Sequence, residues 1–180
     1  FYGWNPTVNT YQAMIYLSDD GGTHYPGYTE IKNNIFFHDG DFDFNINLAC
    51  IKIDSDWKLR PIIDFNLYYT ADPRASFFTI RSAEGEKGWV EGAYYTTSNW
   101  HMYKAKQGFD QNSPVPNDPL LVENSSHIFT LTAESPARSA GQENNFIFND
   151  FSGNGMNYPP DLGAIQFKVE SPGTSDDEFE

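Results

Sequence analysis

The chain contains one cysteine, few cations and no long apolar run. A single thiol, Cys50, excludes an internal disulfide and a cysteine-based metal site. No stretch approaches the roughly 18 apolar residues that a membrane-spanning helix needs, and no signal-peptide pattern is present. Eleven Lys and Arg stand against 25 Asp and Glu, giving a formal net charge of −14. Without a basic cluster there is no electrostatic footprint for a phosphate backbone, so nucleic acid and anionic membranes are poor partners. Helical periodicity is also scarce: residues 101–107 have room for a turn or two at most, and no other window repeats at i, i+3, i+4, i+7. The four histidines (His24, His38, His101, His127) include no i, i+4 pair of the kind that holds zinc on a helix. No nucleophile elbow, phosphate-cradling glycine loop or dinucleotide fingerprint occurs. Catalysis is therefore not expected.

What the chain does have is rings. Aromatics make up 17% of the 180 residues, with 15 Phe, 11 Tyr and 4 Trp, and large rings suit the half-buried surface of a pleated sheet. The most regular stretch runs through residues 34–57. There Phe42, Phe44, Ile46, Leu48 and Cys50 alternate with Asp41, Asp43, Asn45, Asn47 and Ala49, which predicts a long strand with one dry and one wet face. Cys50 falls on the dry face and reads as an inert core thiol. The phase slips at Ile51 and Ile53, as a β-bulge or a passage between two sheets would require. Asp39-Gly40, just before, favours a tight hairpin turn.

Other short runs read as strands: residues 11–17, 32–37, 63–69, 77–81, one or two within 89–103, then 127–133, 145–151 and 164–170. Residues 107–119 hold three prolines and no period, predicting a long exposed loop. No repeat of fixed period appears. Short strands punctuated by Gly, Pro, Asn and Asp point to an all-β fold, an antiparallel β-sandwich of jelly-roll type with long Pro/Gly-rich loops; a closed barrel is the alternative. Residues 1–170 form one sandwich domain in this reading. The acidic tail, residues 171–180, buries too little to order itself unless a neighbouring subunit, or Phe179 docked on its own domain, holds it. An opening at Phe1 rather than methionine reads as a processed or trimmed form.

Two groups of residues carry candidate chemistry. Asp39, Asp41 and Asp43 resemble the start of a calcium loop, but an EF-hand counted from Asp39 needs Gly and Glu where Phe44 and Cys50 stand. Asp41 and Asp43, about 7 Å apart along a strand, would need added ligands to hold calcium, the one cofactor considered; otherwise they charge a hairpin edge against sticky pairing. The second group is Trp57, Trp89, Tyr94, Tyr95 and Trp100, rings among hydroxyls and amides that suit a sugar ring or a protein surface when exposed, and ordinary core packing when not. Asn124-Ser125-Ser126 is a glycosylation sequon. These features predict a non-catalytic subunit of a surface layer, filament or particle, with other protein subunits, foremost copies of itself, as partners. A carbohydrate-binding β-sandwich, assisted by calcium, is the alternative and a hydrolase the third. Either of the first two suits an extracellular, cell-surface or particle-associated setting.

Overall fold

A computed structural model describes residues 12–18, 29–38, 48–54, 61–71, 76–81, 93–126 and 128–168. Its strands are β1 (Gln12–Ser18), β2 (Glu30–Lys32), β3 (Ile35–His38), β4 (Leu48–Asp54), β5 (Ile62–Asp64), β6 (Leu67–Thr70), β7 (Ser76–Arg81), β8 (Ala93–Tyr95), β9 (Leu121–Glu123) and β10 (Phe129–Leu131). One helix, α1 (Trp100–Gln107), follows a single 3-10 turn at Thr97–Asn99.

The pairing corrects the antiparallel sandwich expected from the sequence. β1, β4 and β7 lie side by side and parallel, with β8 added antiparallel at the edge. β2 pairs parallel with β5, and β3 parallel with β6. Among the described strands only β7–β8 and the ribbon β9–β10 are antiparallel, and these strands form neither two facing antiparallel sheets nor a closed barrel. Each strand of the first turn thus lies beside the strand three places later, which is the connectivity of a parallel coil. Alternation along a strand reports its two faces and not its neighbour, so the sequence pattern could not separate these cases. A parallel pair needs a long crossover, and here each crossover of the four-stranded sheet includes two further short strands, β2 and β3 or β5 and β6.

The slip at Cys50–Ile51 has a related cause. β4 keeps one register along β1, from Gln12 opposite Leu48 to Ser18 opposite Asp54, so no extra residue is inserted. Every residue from Ala49 to Ile53 is buried, as in parallel sheets covered on both sides, and apolar residues then fall on both phases. The proposed hairpin at Asp39-Gly40, and residues 42–47 of the alternating stretch, lie outside the described residues. Among the described strands β3 pairs with β6 and not with β4.

Two predicted strands each prove to be a pair of strands around a corner. Asn33 and Phe65 take left-handed backbone at φ 60° and 55°, turning β2 into β3 and β5 into β6. Asn tolerates that region and Phe seldom does. The corners stack: the Asn33 N–H donates to the Phe65 carbonyl at 2.8 Å. The Asn34 side-chain amide donates to Asn66 Oδ1 at 3.0 Å, and Asn66 donates on to the Ile31 carbonyl at 2.9 Å. Rings stack in the same direction. Phe36 lies over Tyr68 at 5.1 Å on the buried face, and Phe37 over Tyr69 at 5.3 Å on the other; both spacings are close to the distance between adjacent strands.

α1 closes this core. Trp100 and Tyr103, one turn apart, are its buried residues. Trp100 packs on Tyr68 at 5.6 Å and Tyr103 on Tyr95 at 5.0 Å. Gly108 ends the helix at φ 71°, its N–H donating to the Lys104 carbonyl at 3.0 Å. The segment after it is not the exposed loop expected, because Phe109, Asp110, Ser113, Pro116 and Pro119 are buried and the Asp110 N–H donates to the Ile63 carbonyl on β5 at 2.7 Å. Residues 145–151 and 164–168 are not strands either. Asn149 opposite Gly155 is their one isolated bridge among the described residues, and side chains satisfy much of the backbone instead. Asp161 Oδ2 accepts from the Phe167 N–H at 2.7 Å and Asp150 Oδ2 from the Gln166 N–H at 3.1 Å.

Candidate functional site: an apolar groove beside the coil

The outward face of β3 forms one wall of a groove of about 490 Å³. Ile35 and Phe37 point there because they alternate with Phe36, which points into the core. The ribbon β9–β10 gives the second wall through Leu121, Ile128, Phe129 and Leu131. Phe151, Leu162, Ala164 and Ile165 complete it. Gly163 fits at φ 90°, where a Cβ would come within 3.2 Å of Ile35, and its N–H donates to the Asn33 carbonyl at 2.9 Å. Asn33 and Asn34 are the polar lining. The Asn33 side chain is anchored on Gln142, donating to its carbonyl at 2.9 Å and accepting from its N–H at 2.8 Å. Among the described residues the lining therefore carries no charge, in a chain whose net charge is −14.

Next to the groove, residues 146–151 present rings to solvent: Phe146 is 91% exposed, Phe148 69% and Phe151 80%. Phe151 stands on the groove rim. Ile147 lines a smaller depression with Met156, Tyr158 and Pro160, and the two hollows share Asn33. Asp150 holds the loop that carries these rings, accepting from the Asn154 N–H at 2.8 Å. Burial pushes its carboxyl up, but hydrogen bonds from Asn154, Gln166 and Ser152 outweigh that and keep it below the ordinary range.

The other concentration of titratable groups lies under the helix and is sealed. Asp110 is 1% exposed. Its Oδ1 accepts from Ser113 Oγ at 2.6 Å and Asn66 Nδ2 at 3.2 Å, and its Oδ2 from the Tyr103 hydroxyl at 2.6 Å and the Tyr68 hydroxyl at 2.9 Å. Burial raises its pKa against the pull of those four donors. Burial and the neighbouring carboxylate raise both tyrosines as well. Three of the four donors, Asn66, Tyr68 and Tyr103, come from the coil and α1, so the cluster is a strut between them. Cys50 is buried too, its thiol pushed up to about 12 by burial, and stays a neutral core group.

The ring residues singled out in the sequence separate. Tyr95 and Trp100 are 4% and 5% exposed and pack in the core cluster, bridged by Tyr103. They offer no face to a ligand. Tyr94 lies on β8 opposite Thr79. Trp57, Trp89, Asp39, Asp41 and Asp43 lie outside the described residues. Among the described residues no group of three or more His, Cys, Asp or Glu could hold a metal ion, and no helix is long and apolar enough to cross a membrane. Sequence reasoning passed over Phe37, Phe129 and Phe151. The available signal was the density of rings in residues 146–151 beside Asn149-Asp150, a turn pair, which argues against a buried strand. No protein-family model, curated protein or solved structure matches this chain.

Proposed function

We propose that the protein is a non-catalytic structural subunit that assembles with other protein subunits through the groove face, in a surface layer, filament or particle outside or at the surface of a cell. The carrying observation is the set of exposed rings, Phe146, Phe148 and Phe151, beside a groove of about 490 Å³ whose described lining is uncharged. Exposed rings and an open apolar recess are costly to leave in water and mark interaction sites. The most deeply buried carboxylate among the described residues, Asp110, supports the non-catalytic part, since it is spent on four internal hydrogen bonds and sealed from substrate. Gel filtration with light scattering tests the reading: an assembly subunit runs far above 20.5 kDa under gentle conditions, and a strict monomer at every concentration and salt would count against it.

A second reading, carbohydrate binding in the same groove, is favoured by the amides of Asn33 and Asn34 beside Phe37, Phe129 and Phe151. Rings next to amides suit sugar faces and hydroxyls. Retention on polysaccharide gels that Phe151→Ala abolishes, with the melting temperature unchanged, would select it. Calcium assistance would show as a melting temperature that chelator lowers.

A further inference from the structure

We propose that the occupant of the groove is a second copy of this chain, which inserts the rings at Phe146 and Phe148 into the groove while its own groove receives the same two rings. The inference rests on the assembly reading above and adds to it the partner and the contact. One surface of the molecule carries both halves of such a contact. The hollow is lined by Ile35, Phe37, Phe129 and Leu131, and the projecting rings stand on the loop whose Phe151 forms the hollow's rim. The Phe151 N–H donates to the Ala164 carbonyl at 2.8 Å, tying the ring loop to the groove wall, and the Met156 N–H donates to the Phe148 carbonyl at 3.0 Å within the loop. A face that holds a projection and its matching recess is self-complementary under a two-fold axis.

Charge argues for a like copy at this face. Two copies at −14 each repel over most of their surfaces. No described residue of the groove lining is charged, so rings entering it meet no carboxylate of that lining and leave water. A strongly basic partner would be drawn instead to the acidic remainder of the surface. The groove is also incomplete alone, since about 490 Å³ lined by rings and aliphatic groups lies open to solvent. Large rings entering such a recess at the centre of an interface are where binding energy concentrates.

Three full-length proteins test this in solution: wild type, the double variant Phe146→Ser with Phe148→Ser, and Ala164→Trp. All three substituted positions are exposed, so matching melting temperatures are expected to show each variant folded. Sedimentation equilibrium should give a self-associating wild type, with each variant weakened by roughly tenfold or more in dissociation constant. An equimolar mixture of the two variants should regain part of the association, because the serine variant keeps an open groove and the tryptophan variant keeps its rings. Wild-type association that neither variant disturbs would overturn this contact and leave assembly to another face. A wild type that stays monomeric would remove the assembly reading and this inference together. Variants that weaken association without recovery on mixing would overturn the reciprocal insertion.

Discussion

Asp110 is the residue on which coil and cap both depend. Its four donors come from β6, from α1, from the corner at Asn66 and from Ser113. Asp110→Ala should lower the unfolding free energy by about 3 kcal/mol or more, since it strands several buried donors at once; urea unfolding measures it. Acid gives a sharper test because two aspartates pull in opposite directions. Burial raises Asp110 above its ordinary 3.8. Between that value and its raised one the folded chain holds a proton that the unfolded chain has released, so this group makes stability fall as pH rises. Asp150 is depressed; its contribution is present above 3.8 and is lost as pH falls through its lower value. Unfolding midpoints against pH should lose the first slope in Asp110→Asn and the second in Asp150→Asn. An Asp110→Asn profile parallel to wild type would reject the assignment. Neither role was legible in sequence, where Asp110 is one acid of an expected loop and Asp150 one of an expected strand among 25, because burial is set by what folds over a residue. Cys50 was legible, since its neighbours' alternation already marked it as apolar surroundings.

At the scale of elements, the helix is the instructive case. Trp89 to Tyr103 reads as one or two strands because Trp, Tyr and Thr favour strands, with room for a turn or two of helix only over residues 101–107, where α1 indeed lies. It buries only Trp100 and Tyr103, too few positions for a period to show. Tertiary packing on Tyr68 and Tyr95 makes the helix worthwhile. Trp100→Ala should therefore cost about 3–5 kcal/mol, as a large buried ring does. Gly108→Ala should cost only about 1 kcal/mol, the conformational penalty of the left-handed cap, because a Cβ there meets nothing within 4 Å. Chemical denaturation of both variants checks the order, and a cheaper Trp100→Ala would mean that the cap is not part of the core. The paired strands β2–β3 and β5–β6 were visible as apolar runs, but their corners were not, since Phe65 at φ 55° is a residue no turn rule selects.

For the whole molecule, charge decides how copies meet. With −14 on each chain, added salt screens repulsion over a Debye length of about 10 Å at 0.1 M, while the burial of neutral rings is not screened. Self-association should therefore strengthen as sodium chloride rises, by several-fold between low and moderate salt, measured by sedimentation. Weakening with salt would point to an interface held by ion pairs instead.

The order of residues alone determined that the chain would be strand-rich, built on rings, acidic and without a membrane-crossing helix among its described parts. Each of those follows from residue type and from alternation, which are local. Tertiary structure decided that the strands would coil in parallel, that Tyr95 and Trp100 would be core, and that Phe37, Phe129 and Phe151 would line one groove. The rungs give no fixed repeat, since Gln12 meets Leu48, Glu30 meets Ile62 and Ala49 meets Ser76 at unequal separations. A strand's partner is chosen by backbone hydrogen bonds that every sequence can make, and which side of a ring meets water depends on what distant residues come to cover it.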